Sequence, residues 1–285
     1  MRFLVTGATG FLGWRAAELL EAAGHEVVRL ARPGHARRAH AAAADAVEVD
    51  AGDPAARALV EGCAAVLHFA GVPDPQRARE DPARAVRQNA GTTVNLLEGC
   101  REHGAGLVYP STVRAALDPP PDPYAVSKRL GEEACRLHGA RATVLRLTSV
   151  FGPGQVAAEG ATGAIAAFAA RALAGEPIVI PGDPQRTRDF LYVDDLVRAI
   201  EALVAEERWG ETLVAASGRA TPLAEAAELV RAAAGSASEI LTPGGDLPPG
   251  EDASYAAPAD APSLRLDVHP LGEAIRMYVE WLRAR

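Results

Sequence analysis

Apolar residues recur along the chain in two alternating rhythms. Short continuous apolar runs give way to stretches with apolar positions three and four apart, the spacing of one helix face. Residues 2–6 form the first run and predict a buried strand that breaks into glycines. Residues 12–23 follow at helical spacing, with Gly24 to close the helix. Residues 26–30 predict a second strand. Strand, turn, helix and strand make one βαβ unit, whose crossover demands parallel strands. The alternation continues through strand 46–49, helix 54–61, strand 65–69, helix 83–102, strand 106–109, helix 124–138 and strand 142–147. Such alternation predicts an α/β fold with a parallel sheet covered by helices on both faces.

Beyond residue 150 the rhythm loosens. Helices are predicted at 161–174, 194–205, 223–234 and 271–283, with short strands at 178–180 and 213–215. Residues 242–262 are rich in Pro, Gly and Asp and predict a long loop, a candidate lid. The expected division is a large domain over 1–150, to which 178–205 returns, and a smaller C-terminal α/β part over 151–285.

Composition narrows the class. Of 285 residues, 48% are hydrophobic, enough to bury a full core in one large or two fused domains. The net charge of −8, with no long basic segment, argues against nucleic-acid and membrane partners. Cys63, Cys100 and Cys135 are odd in number, widely spaced and without a CxxC pair. Neither a disulfide framework nor a metal site is expected of them; free thiols in a reducing compartment are. Phe3-Leu4-Val5 breaks at once into glycines, so no secretory leader is expected. No segment approaches the length of a membrane span. A cytoplasmic location is the expectation.

Chemistry begins at Thr6-Gly7-Ala8-Thr9-Gly10-Phe11-Leu12-Gly13, placed between the first strand and helix. The first glycine allows a tight turn, the second lets backbone approach a pyrophosphate, and the third lets helix and strand pack closely. Free N–H groups at the helix start suit phosphates. This context points to a Rossmann-type, doubly wound sheet that binds a dinucleotide through Gly7, Thr9, Gly10, Phe11, Leu12 and Gly13.

Tyr124-Ala125-Val126-Ser127-Lys128 places a phenol and an ammonium on one helix face. Asp122 reads as the N-cap and Pro123 as the first helical residue. Lys128 and the helix dipole are expected to lower the phenol pKa toward neutrality. Such a tyrosine serves as general base on an alcohol or general acid on a ketone.

The spacing TGxxGxxG, with the YxxxK motif, resembles the short-chain dehydrogenase/reductase superfamily in its extended, NAD(P)-dependent epimerase/dehydratase branch. Further stretches are similar to that family: Val47 to Asp53, His68-Phe69-Ala70-Gly71, Asn89-Ala90-Gly91-Thr92, Arg146 to Gly154, and Arg188 to Asp195. The resemblance implies that Asp50 and Ala51 meet the adenine and that Phe69, Ala70, Gly71 and Asn89 lie along the cofactor. It implies that Tyr124 and Lys128 serve both cofactor and catalysis, and that Thr112 binds the reacting oxygen. Ser111 is either a second such hydroxyl or a serine doing turn chemistry. Ser149 and Arg188 fall where members touch the diphosphate or sugar of a nucleotide-sugar. A homodimer through helices 83–102 and 124–138 is also implied.

Three departures from the family pattern bear on substrate and reaction. Ser149 stands where the family carries asparagine, which weakens the nucleotide-sugar reading. The stretch from Thr112 to Tyr124 is short, proline-laden and without the usual V-Y-G. Val113 and Arg114 stand where sugar 4,6-dehydratases carry Asp-Glu, which disfavours dehydration. At the end of the second strand, Ala31 replaces the acid that binds an NAD ribose, and Arg32 follows, with Arg37 and Arg38 nearby. An arginine there pairs with a 2′-phosphate, which favours NADP over NAD.

The expected activity is hydride transfer at a carbinol or carbonyl carbon of a sugar-like small molecule, as reduction or epimerisation. A non-catalytic dinucleotide-binding sensor on the same fold is the alternative, against which the intact Tyr124 and Lys128 argue.

Overall fold

The computed structural model describes residues 1–34, 45–157, 163–247, 254 and 261–285. Arg37, Arg38, the start of the helix expected at 161–174 and most of the 242–262 loop lie outside the described residues. The chain divides into two compact units, Met1–Leu147 with Val197–Val214, and Thr148–Leu196 with Ala215–Arg285.

The first unit alternates as the apolar pattern requires. It holds β1 (Arg2–Thr6), α1 (Phe11–Ala22), β2 (Glu26–Ala31), β3 (Val47–Glu48), α2 (Ala55–Ala58), β4 (Ala65–His68), α3 (Pro75–Glu80) and α4 (Pro82–Val86). It continues through α5 (Thr92–His103), β5 (Gly106–Thr112), α6 (Pro123–Leu137) and β6 (Ala142–Leu147). The seven-stranded sheet runs β3-β2-β1-β4-β5-β6-β10, where β10 is Thr212–Ala215. Strands β1 to β6 pair in parallel. This is the doubly wound Rossmann order, which reverses between β1 and β4. Phe3, Leu4, Val5, Val66, Leu67 and Leu107 are buried at its centre. Leu4, Val66 and Leu107 join Leu96, Leu97 and Tyr109 in one core cluster.

Where structure and expectation differ, local chemistry explains it. The helix expected over 83–102 is α4, a π-turn at Arg87–Gly91, and α5. The wide turn carries Asn89 inward, where it is fully buried. Helix α3 was not anticipated, although Asp74-Pro75 caps and starts it and Asp81-Pro82 does the same for α4. Strand β5 runs through Pro110 to Thr112, not to Tyr109. Pro110 lies past the last pair with β4 and pairs only toward β6, so its missing N–H interrupts no ladder there.

The second unit holds β7 (Ser149–Phe151), α7 (Ala164–Ala174), β8 (Ile178–Pro181), β9 (Thr187–Tyr192), the first turn of α8 (Val193–Ala205), β11 (Ala220–Pro222), α9 (Leu223–Ala233), β12 (Ile240–Gly244) and α10 (Leu271–Arg283). The strands make two small sheets, β11-β9-β7 and β12-β8. Ile240 and Leu241 draw the start of the expected loop into β12 beside β8. Strands β8 and β9 thus lie in the second unit; the segment that returns to the first is Val197–Val214, not 178–205. Phe151, Phe190, Tyr192 and Tyr278 form the aromatic centre of this unit's core.

Candidate active site

The glycine turn is shaped by backbone sterics. Gly7 has φ +66°, and a Cβ there would sit 2.7 Å from the Ala70 nitrogen. At Gly13 a Cβ would meet the Gly7 carbonyl oxygen at 2.3 Å. Both are glycine because turn, helix and the Phe69–Ala70 segment close on one another. Gly10 differs: it is exposed, and a Cβ there would meet only the Gly7 oxygen, at 3.3 Å. Gly10 is also the N-cap of α1, and no side chain caps that helix. Open space over an uncapped helix N-terminus fits a pyrophosphate. Thr9, Phe11 and Leu12 border the same opening, each half-buried.

Behind the turn lies a relay of hydrogen bonds. The Thr6 hydroxyl accepts from the Ala70 N–H at 3.0 Å and bonds His68 Nδ1 at 2.9 Å. The Thr92 hydroxyl donates to the Gln88 carbonyl at 2.7 Å and so accepts from His68 Nε2 at 3.1 Å. His68 is thereby fixed as a neutral tautomer. Burial, then the nearby Lys128 charge, lowers its pKa to about 3. It is a satisfied core histidine that ties β1, β4 and α5 together below Phe69 and Ala70. Gly71 follows with φ +153°, and a Cβ there would lie 2.3 Å from Asn89 Oδ1. Asn89 accepts from Val72 N–H at 2.7 Å and donates to Val72 O at 3.1 Å and to Ser127 Oγ at 2.8 Å. Expected beside the cofactor, Asn89 is fully buried and acts by holding the Gly71–Val72 segment to α6.

Helix α6 starts as its sequence demands. Asp122 Oδ1 accepts from the Ala125 N–H at 2.9 Å, and Pro123 is the first helical residue. Tyr124 is half-buried and packs on the small cluster of Val72, Ala78 and Ala85. One turn on, Lys128 Nζ donates to the Pro110 carbonyl at 2.8 Å and lies 5.0 Å from the centre of the Tyr109 ring. Burial pushes the Lys128 pKa down to about 8. Burial also pushes the Tyr124 phenol up to about 12, opposed by the Arg114 guanidinium and assisted by Asp122. The expected fall toward neutrality is therefore not met: desolvation outweighs the Arg114 charge, and Lys128 is aimed at a carbonyl.

The two hydroxyls at the end of β5 part company. Ser111 donates to Glu132 Oε1 at 2.5 Å, and Glu132 is held in an ion pair with Arg146 at 2.6 Å. Ser111 is thus committed to a buried structural network and not to a reacting oxygen. Thr112 accepts from the Arg114 N–H at 3.3 Å and keeps its own proton to donate. Thr112, Tyr124 and Lys128 all lie around the end of β5 and the start of α6.

At the other end of the sheet Ala31 is buried and Arg32 exposed. Glu48, which sequence reasoning passed over, is in register with Ala31, and its carboxylate accepts from the Gly34 N–H at 3.3 Å. The signal was available: a two-residue strand beside β2 puts position 48 against position 31. Asp50 accepts from the Gly52 N–H at 2.8 Å, and Ala51 gives its carbonyl to Asn95 at 2.9 Å. In the second unit Ser149 is half-buried in β7, paired with Phe190. Arg188 Nη1 donates to the Thr187 carbonyl at 2.9 Å. Its neighbour Asp189 is buried and accepts from Ser217 N–H at 2.8 Å, Gly218 N–H at 2.9 Å and Thr148 Oγ1 at 3.1 Å. Among the described residues no group of three His, Cys, Asp or Glu is placed to hold a metal ion. None of the described helices is long and apolar enough to cross a membrane.

A doubly wound sheet with an open glycine turn and a Tyr-Lys pair beside a strand-end threonine defines a nicotinamide-dependent enzyme. The chain belongs to the NAD dependent epimerase/dehydratase family, whose model matches residues 3–216. It is 32% identical to a dTDP-4-dehydro-6-deoxy-D-allose reductase of Streptomyces bikiniensis, over 98% of this chain and 92% of that protein. It is 29% identical to a UDP-glucose 4-epimerase of Mycolicibacterium smegmatis, over 84% of each chain. Among solved structures it is similar to the UDP-glucose 4-epimerase of Thermotoga maritima with UDP-glucose. That likeness has a TM-score of 0.84 at 26% identity and covers 100% of this chain and 99% of that one. The Thermus thermophilus UDP-glucose 4-epimerase in complex with NAD gives a TM-score of 0.77 at 28% identity, over 99% of both chains.

Proposed function

We propose that this enzyme reduces a keto group on a nucleotide-sugar, using a reduced nicotinamide dinucleotide. The observation that carries the reading is the placement of a protonated phenol, Tyr124, in the first turn of α6, with Lys128 one turn on and the Thr112 hydroxyl at the end of β5. A protonated phenol is the acid that a developing alkoxide requires. Thr112 donates a hydrogen bond to the same oxygen, and Lys128 supplies positive charge and a ribose contact. When bound, the dinucleotide supplies the hydride. The Gly7–Gly13 turn holds its pyrophosphate, while Asp50, Ala51, Phe69, Ala70 and Gly71 border the nucleotide. The family resemblance offers Ser149 and Arg188 as the substrate-binding residues. The reductase among the relatives, alike over nearly the whole chain, supports this reading.

Epimerisation through a transient ketone is the second reading, supported by the solved epimerases. It uses the same three side chains, so only the cofactor balance separates the two. A 4,6-dehydration is disfavoured, because Arg114 is held in an ion pair with Asp122 where an elimination needs carboxyl groups. The assay is incubation with a dTDP-4-dehydro-6-deoxy sugar and NAD(P)H, and in parallel with UDP-glucose and NAD. Net oxidation of NAD(P)H supports reduction. Product formed with no net change of cofactor overturns it in favour of epimerisation.

For the cofactor we infer a preference for NADP, supported by Ala31 and the exposed Arg32. The Glu48 carboxylate, in register with Ala31, opposes it. For assembly we infer a homodimer. Val94 on α5 and Val126, Leu130 and Leu137 on α6 are exposed. On α6 they recur at helical spacing along one face. The location inferred is the cytoplasm, supported by three free, buried cysteines.

A further inference from the structure

We propose that Arg114, clamped by Asp122, is a positioning residue for Tyr124: the pair ties the turn after Thr112 to the helix start that carries the phenol. The inference rests on the reading of Tyr124 as the proton-transfer residue. Arg114 is 9% exposed and lies in the short turn Val113–Ala116, directly after Thr112. Its guanidinium Nη2 donates to Asp122 Oδ2, and both partners are buried. The other oxygen of Asp122 accepts from Ala125 N–H at 2.9 Å and so caps α6. The backbone N–H of Arg114 donates to the Thr112 hydroxyl at 3.3 Å. One residue therefore touches the turn that presents Thr112 and the cap that presents Tyr124. Lys128 on Pro110 and Glu132 on Ser111 tie the body of α6 to β5, and this bridge ties its first turn.

The remaining surroundings of Tyr124 make this pair its principal electrostatic neighbour. From α3 and α4 it meets Ala78 and Ala85, and from the preceding segment Val72, all apolar. On its own helix Lys128 is drawn to the Pro110 carbonyl, and Glu132 is engaged by Arg146 and Ser111. On β5, Tyr109 is a neutral phenol whose hydroxyl donates to the Asn89 and Lys128 carbonyls, each at 3.3 Å. Arg114 favours the phenolate and Asp122 opposes it. The two charges act oppositely, so removing either must move the phenol in opposite directions. A purely structural bridge predicts no such opposition.

The test is site-resolved titration of Tyr124 in the full chain labelled with 3-fluorotyrosine. Ring fluorination makes the phenol more acidic, which brings its ionisation into an accessible range, and Tyr124→Phe assigns the signal. Arg114→Met is expected to raise the Tyr124 midpoint by about one pH unit, and Asp122→Asn to lower it by about one. The other four tyrosine signals stay in place. Arg114→Lys, which keeps the charge, stays near the parent value and carries the test with Asp122→Asn if Arg114→Met does not fold. Shifts of the same sign, or none, overturn the inference. The catalytic reading fails separately, if Tyr124→Phe retains the activity of the parent.

Discussion

Lys128 brings a titration close to neutral pH into the candidate site. Its pKa is pushed down to about 8 by burial, from an ordinary 10.5. The ammonium is therefore lost as pH rises through about 8, and kcat/KM for reduction is expected to fall there. Stability moves the other way. Between about 8 and 10.5 the unfolded chain holds more protons than the folded one, so unfolding free energy rises with pH across that window. Activity that falls while thermal stability rises is the expected signature; Lys128→Met should lose both trends. Cofactor choice also belongs to single residues. Titration with NADPH and NADH, read by fluorescence of the bound reduced cofactor, is expected to show tighter NADPH binding. Arg32→Asp should weaken NADPH about tenfold or more, and Glu48→Gln should strengthen it. An Arg32→Asp variant that keeps its preference contradicts the assignment. Several residue roles were not legible in the sequence. Ser111 and Asn89 carry family motifs, yet partners far along the chain, Glu132 and Ser127, decide where their polar groups point. The partnership of Arg114 with Asp122 was hidden because it forms only where the turn after β5 meets the start of α6.

At the scale of elements, what the sequence announces is what local chemistry dictates. Asp122-Pro123 announced the start of α6, and the glycine turn announced the join of β1 to α1. The break of the long helix at Arg87–Gly91 was hidden, because apolar spacing does not distinguish a π-turn from a continuing α-helix. The end of β5 was hidden because Pro110 reads as a stop, and only the shorter β4 makes it harmless. The turn's tight packing makes a direct prediction. Gly13→Ala places a methyl 2.3 Å from the Gly7 oxygen, so backbone must move. A loss of about 1–3 kcal/mol in denaturant unfolding is expected, together with loss of dinucleotide affinity. A variant that binds and unfolds like the parent would contradict the steric account of the turn.

Over the whole molecule, the alternating pattern to residue 147 dictated the Rossmann sheet, while the later chain was less legible. Its strands are short and pair at long range: β7 with β9, and β8 with β12. The proposed dimer rests on the exposed Val94, Val126, Leu130 and Leu137. Light scattering on the eluting protein is expected to give the mass of a dimer, and Leu130→Glu to give a monomer that still binds dinucleotide. A monomeric parent would contradict the inferred interface. The account as a whole stands on Tyr124 as the acid in hydride transfer. The direct test is the rate of NAD(P)H oxidation with a dTDP-4-dehydro-6-deoxy sugar, parent against Tyr124→Phe, with cofactor affinity measured on both. The account predicts a fall in kcat of about a hundredfold or more at unchanged cofactor affinity; a Tyr124→Phe enzyme that turns over at the parent rate contradicts it.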